Sequence, residues 1–169
     1  MKDLELKVDL PYPKIVGAQE DSNTVAILKN LLSSRSGELA GVLQYIYQSV
    51  MSDKINAEIA EIFEEIGIVE MMHMSILMHA ITDFGGVPKY EDARGNYFTS
   101  SSINFSPRLK DMLDNNIAGE KQAIEEYNQA IHRVKNESLK ALLTRLILDE
   151  EKHLEAFKYL RDSVQFLSL

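Results

Sequence analysis

Leu146-Ile147-Leu148-Asp149-Glu150-Glu151-Lys152-His153-Leu154 sets a glutamate and a histidine three residues apart inside a helical, apolar run. Three apart on a helix is the same face, one residue above the other. A carboxylate and an imidazole buried together need a partner, because an isolated buried charge is costly. A metal ion supplies one. The same spacing recurs upstream as Glu70-Met71-Met72-His73.

Each pair interrupts an apolar helical stripe. The stripe through the upstream pair is Ile59, Ile62, Ile66, Glu70, His73, Leu77 and Ala80, on a helix expected from about Lys54 to Phe84. The downstream stripe is Leu139, Leu143, Leu146, Glu150, His153, Phe157 and Leu160, on a helix running to about Val164. Two further helices carry one stripe carboxylate each. One is expected unbroken from Ser22–Thr24 to about Met51, with Leu28, Leu31, Arg35, Glu38, Val42, Tyr45 and Ser49 in phase. The other starts at Ser106-Pro107, a cap followed by a first-turn proline, and carries Leu113, Ile117, Glu120, Ile124, Tyr127, Ile131 and Val134.

The halves of the chain echo each other. Gly37-Glu38 is followed seven residues later by Tyr45, and Gly119-Glu120 by Tyr127 at the same spacing. Glu120 follows Glu38 at nearly the same interval as Glu150 follows Glu70. Two helical hairpins therefore each supply one lone Glu and one Glu-x-x-His. Packed with pseudo-two-fold symmetry, they place four carboxylates and two imidazoles around one point, a set that two divalent ions can share. A single Glu-x-x-His pair is weak evidence, and a lone Glu on a stripe is more often an edge residue. The coincidence of four mid-helix interruptions related by the repeat favours metal over a plain bundle with edge charges. His79 and His132 have no Glu three residues before them and read as surface or packing residues.

Residues 85–106 lack helical periodicity and are rich in Gly, Ser and Thr. So long a connection makes sense as a crossover joining parallel second and third helices. A 28-residue helix spans roughly 42 Å, and 22 extended residues reach roughly 70 Å. Residues 1–21, with Pro11 and Pro13 around Tyr12, read as an extended arm packed outside the domain or on a partner subunit. The bundle then occupies 22–169.

Composition narrows the chemistry. The 169 residues suit one domain with a full core, and the 45% hydrophobic and 26% charged content is that of an ordinary globular protein. A net charge of −8 disfavours nucleic-acid and anionic-membrane binding. No signal peptide or membrane-spanning run is evident, and there is no cysteine, which points to the cytoplasm. Without cysteine there is no thiolate site, iron–sulfur cluster or Cys nucleophile. Carboxylate and imidazole ligands suit iron(II), manganese or zinc.

From about residue 22 onward the chain resembles the ferritin-like superfamily of di-iron and di-manganese carboxylate proteins. The resemblance implies an all-α, up-down-down-up four-helix bundle with the long crossover between helices 2 and 3. It also implies metal ligation by Glu38, Glu70, His73, Glu120, Glu150 and His153. Glu70-Met71-Met72-His73 with Phe84-Gly85-Gly86-Val87-Pro88 is similar to bacterioferritin, where a Met just after the helix-two Glu binds haem. Met71 is more simply read as a packing residue, so haem is not expected. Bacterioferritins tend to carry Asp before that Glu, where this chain has Val69; only Asp149-Glu150 keeps the pair, and Asp149 is placed to orient His73. Gly119-Glu120 is similar to the third helix of rubrerythrins. Their rubredoxin module needs cysteines, so any reductant here is a separate electron-donor protein. The arm around Tyr12-Pro13, with Gly37-Glu38, is similar to the manganese-catalase group.

The expected function is thus a dinuclear oxidoreductase acting on O2 or peroxide, with two iron ions, or manganese in their place, in a homodimer or higher homo-oligomer. Tyr45 and Tyr127 are candidates to hydrogen-bond the ligand carboxylates or relay electrons. The competing expectations are iron oxidation and storage in a ferritin-type cage, and a structural or interaction protein with a static metal site.

Overall fold

The computed structural model describes residues 4–167. Its helices are α1 (Ser22–Ser33), α2 (Glu38–Ser52), α3 (Ala57–Asp83), α4 (Leu109–Arg133) and α5 (Glu137–Leu167). Their starts follow from local chemistry. Asp21 accepts from the amides of Asn23 and Thr24, at 3.0 and 3.3 Å. Asn56 caps α3 through the Ile59 amide, and Asn136 accepts from the Leu139 amide at the start of α5. Gly85, at φ +81°, lets the chain leave α3 in the left-handed region.

α2 packs against α3 and α4 against α5, giving two hairpins, while α1 lies on α3, α2 and α4. The apolar core is in two parts. One joins Leu28, Leu32, Leu77, Ile81, Leu139 and Leu143. The other joins Tyr45, Ile59, Phe63, Met112, Phe157 and Leu160. On α3 the order is second core, Glu70 and His73, then first core. On α5 it is reversed. The six stripe-breaking residues therefore form a polar layer between two apolar plugs.

The same order gives the topology. α1–α2 and α5 run from first core to second, while α3 and α4 run back. This is the up-down-down-up arrangement, and residues 84–108 cross the length of the bundle. That segment contains a 3-10 turn at Ser100–Ser102 and an isolated bridge between Glu91 and Tyr97.

The first helix departs from expectation. It is not continuous from Ser22 to Met51 but breaks at residues 34–37. Gly37, extended at φ −83° and ψ 167°, is the cap residue of α2 and makes Glu38 its first helical residue. A Cβ on Gly37 would lie 2.6 Å from the Leu31 carbonyl oxygen and 2.9 Å from the Leu32 carbon and the Ser33 nitrogen. All three are backbone atoms that cannot swing aside. Ser36 and Ser34 donate from the break to Glu126 on α4, at 2.6 and 3.4 Å. Gly37→Ala is expected to cost about 1–3 kcal/mol through forced backbone displacement. Chemical denaturation measures it: an unchanged midpoint would show that the break tolerates a side chain.

Candidate metal centre

The polar layer gathers all six stripe-breaking residues. Glu38, Glu70, His73, Glu120, Glu150 and His153 are each buried. Their positions follow from the helices: Glu38 opens α2, Glu70 and His73 sit mid-α3, Glu120 mid-α4, Glu150 and His153 mid-α5.

Their atoms fall into two overlapping sets. Glu38, Glu70, His73 and Glu150 each offer one atom within 4.8 Å of the others, and so do Glu70, Glu120, Glu150 and His153. Glu70 and Glu150 belong to both, and each splits its oxygens between the histidines. Glu70 Oε2 lies 3.7 Å from His73 Nδ1 and Oε1 lies 3.1 Å from His153 Nδ1. Glu150 Oε1 lies 2.8 Å from His73 Nδ1 and Oε2 lies 3.1 Å from His153 Nδ1. Glu38 approaches only His73 (3.6 Å) and Glu120 only His153 (3.9 Å). The imidazole centroids are 6.1 Å apart. The geometry is that of two four-ligand sites bridged by two carboxylates.

Whether these residues fit metal ions can be tested on their unused atoms. Glu38 Oε2, His73 Nδ1 and Glu150 Oε1 are buried with no hydrogen bond among the described residues. The approach of His73 Nδ1 to Glu150 Oε1 is thus close contact without hydrogen-bond alignment. Three unsatisfied ligand atoms converging on one point are rare in a folded interior. They fit a cation between them, and two divalent ions would balance four carboxylates.

The electrostatics agree. Burial first, then the neighbouring Glu70 and Glu150, holds Glu38 well above the usual carboxylate range. Glu120 is raised in the same way, by burial and then by Glu150 and Glu70. Burial pushes His73 and His153 downward, but the surrounding carboxylates outweigh it and hold both well above the usual histidine range. Burial also works against ionised Glu70. The close side chains of Glu38, His153 and His73 outweigh it and leave Glu70 well below its usual range. The cluster thus collects protons where cations are wanted.

Tyr45 and Tyr127 do meet the lone glutamates, but crosswise. Tyr45 on α2 donates to Glu120 Oε1 on α4 at 2.5 Å, and Tyr127 on α4 donates to Glu38 Oε1 on α2. Each hairpin thereby fixes the other's lone carboxylate. Asp149 Oδ2 lies 3.1 Å from His73 Nε2. His79, His132 and Glu151 are exposed.

Sequence reasoning missed Arg145 and the use of Tyr12. Arg145 is buried, its Nη1 2.8 Å from Asp149 Oδ1, and its guanidinium donates to the Val8 and Leu10 carbonyls. Tyr12 donates to Asp149 Oδ2 at 2.7 Å and stands edge-on to His73. Burial, then this hydrogen bond, pushes the Tyr12 hydroxyl up to about 12. A signal was present for Arg145, which lies one turn before Asp149. Tyr12 stands between two prolines, which speak for an extended arm and not for its contacts. A buried amide group, Gln48 with Asn116, was also unmarked; Gln44 joins it and accepts from the Asn104 amide of the crossover.

A cavity of about 550 Å³ reaches the centre from the break between α1 and α2. Arg35 and Gln122 are exposed in its lining, and Glu38, Glu70, Glu120 and Glu150 are buried in it. Gly41 lines it beside Glu70: a Cβ on it would lie 3.4 Å from the Glu70 carboxyl carbon, an ordinary contact.

The family model for rubrerythrin matches residues 29–161. Comparison with curated proteins finds no match. Among solved structures, the chain is similar to KatB, a manganese catalase from Anabaena PCC7120. The identity is 24% and the TM-score 0.85, over 94% of this chain and 80% of that one. It is also similar to Rhodobacter capsulatus bacterioferritin, a structure described as having a metal-free dinuclear site and a haem iron. There the identity is 23% and the TM-score 0.75, over 88% of this chain and 89% of that one. At these identities the two structures speak for the fold.

Proposed function

The chain belongs to the rubrerythrin family, and from that premise we propose that it is a dinuclear iron or manganese oxidoreductase that consumes peroxide or O2. The observation that carries this reading is the sharing of Glu70 and Glu150 between two four-ligand sets at the inner end of an open cavity. Glu38 and His73 would complete one site, Glu120 and His153 the other. A bridged pair of such ions supplies two-electron redox chemistry and Lewis acidity.

The protein's part is positional. The two apolar plugs exclude bulk water from both ends of the polar layer. The cavity admits a small oxidant at the face occupied by Glu38, Glu70, Glu120 and Glu150. Tyr45 and Tyr127 fix the lone glutamates, and burial together with the neighbouring carboxylates raises both phenols, so they remain donors. With metal bound, Asp149 would hold the Nε2 proton of His73 and so turn Nδ1 to the centre. No helix among the described residues is long and apolar enough to cross a membrane.

A homo-oligomer belongs to this proposal. Leu43, Ile46 and Val50 on α2 and Ile68 and Met71 on α3 are exposed, forming one apolar strip across the first hairpin. Such a strip suits an interface between two copies.

Metal analysis of protein from its own host, followed by peroxide-consumption and O2-evolution assays, tests the reading. Two ions of iron or manganese per chain and rapid peroxide loss are expected. A chain that stays metal-free after anaerobic iron(II) and manganese(II) loading would overturn the centre. A large hollow assembly that mineralises iron without consuming added peroxide would favour storage instead.

A further inference from the structure

The two halves of the centre match in ligands but not in what stands behind them. His73 turns Nδ1 to Glu150 and Nε2 to Asp149, whose Oδ2 is 3.1 Å away. Asp149 is itself held. Its Oδ1 accepts from the Val8 amide at 2.8 Å and faces Arg145 Nη1 at 2.8 Å. Its Oδ2 accepts from Tyr12. Residues of the arm thus fasten the carboxylate that fastens His73.

His153 has no such support. It too turns Nδ1 to the centre, and its Nε2 is buried without an acceptor among the described residues. The internal repeat explains why. The first-half counterpart of Asp149 is Val69, one position ahead of Glu70 as Asp149 is one ahead of Glu150. Val69 is buried on α3 and has nothing to accept with. The ligands of the two sites are otherwise equivalent: one lone Glu held by a cross-bundle Tyr, two shared Glu, one His.

We propose that the two metal positions are unequal: the ion beside His73 binds more tightly than the ion beside His153, because among the described residues only His73 has a carboxylate behind it. A carboxylate on the outer nitrogen fixes the ring and its tautomer and makes the inner nitrogen a stronger base. Losing such a partner typically weakens metal binding about 10–100-fold. The inference rests on the dinuclear reading above.

Equilibrium dialysis of the full metal-free chain against manganese(II), with bound metal counted at each free concentration, tests it. Two steps separated by about 10–100-fold are expected. Glu38→Ala removes a ligand from the His73 position alone and is expected to abolish the tight step. Glu120→Ala is expected to abolish the weak step and spare the tight one. Asp149→Asn should bring the tight step down towards the weak one. Val69→Asp, in chains with a native helical spectrum, should tighten the weak step. Two steps of equal affinity, or a tight step that survives Glu38→Ala and disappears with Glu120→Ala, would overturn the inference while leaving the dinuclear centre standing. No binding at either position would overturn the dinuclear reading and this inference with it.

Discussion

Replacing Glu70 and Glu150 together by glutamine is expected to take bound metal from two ions per chain to none, with the helical spectrum retained. The size of the effect follows from the sharing. Each of these carboxylates gives one oxygen to the His73 side and the other to the His153 side. Their loss leaves each position with one glutamate and one histidine. A neutral amide cannot replace a bridging anion for a hard divalent ion. Glutamine keeps the volume, so the shape that packs beside Gly41 remains. The apolar plugs on either side of the layer contain neither residue, so the bundle has its cores intact. Elemental analysis after loading and dialysis checks the result. Retention of even one tightly held ion would show that Glu70 and Glu150 do not bridge. By contrast, Glu38→Ala or Glu120→Ala alone should leave the other position served.

The residues that converge here were readable because a helix repeats its face every three to four residues. A glutamate in a row of Ile and Leu is conspicuous, and a second copy of the pattern in the other half of the chain makes it more so. The crossover was readable from a long stretch without helical period. Asp149 was marked only by the resemblance to the Asp-Glu pair of bacterioferritins.

What stayed hidden shares a physical cause: periodicity reports position along one helix and is silent on contacts across the bundle. Tyr45 lies seven residues after Glu38, yet it serves Glu120. The break at residues 34–37 was masked because Leu31, Arg35 and Glu38 keep helical phase through it. The turn-prone Ser34-Arg35-Ser36-Gly37 was the available warning, and Arg35 in an apolar stripe was another. Arg145 carries a charge that normally marks a surface, and only its contact with Asp149 and the arm carbonyls explains its burial. The arm itself has no period to read.

Metal-free protein is expected to lose heat stability as pH rises above about 6.5, the ordinary histidine value, and manganese(II) is expected to reverse the trend. His73 and His153 are raised well above that value: burial opposes their charge, but the surrounding carboxylates outweigh it. A group with a raised folded-state pKa contributes stability that is fully present below its unfolded pKa. That contribution is lost as pH rises through the folded value. Glu38 and Glu120, raised by burial and then by Glu70 and Glu150, act in the same direction from lower pH. Glu70 is held below its usual range because the close side chains of Glu38, His153 and His73 outweigh its burial. Glu150 is also lowered: burial and the Glu70 charge oppose ionisation, but the two histidines outweigh them. These two contribute stability above about pH 4.5 that is lost on acidification, outside the window in question. Cations take the place of the protons, so binding strengthens with pH as protons leave. At a free concentration a thousand times Kd, each ion stabilises the folded chain by about 4 kcal/mol. For a chain of this size that is roughly 8–16 °C per ion. Melting curves taken from pH 6 to 8.5, with and without manganese(II), should therefore separate progressively. A gap that stays constant or narrows with pH would mean that the protons on His73, His153, Glu38 and Glu120 do not occupy the metal's place.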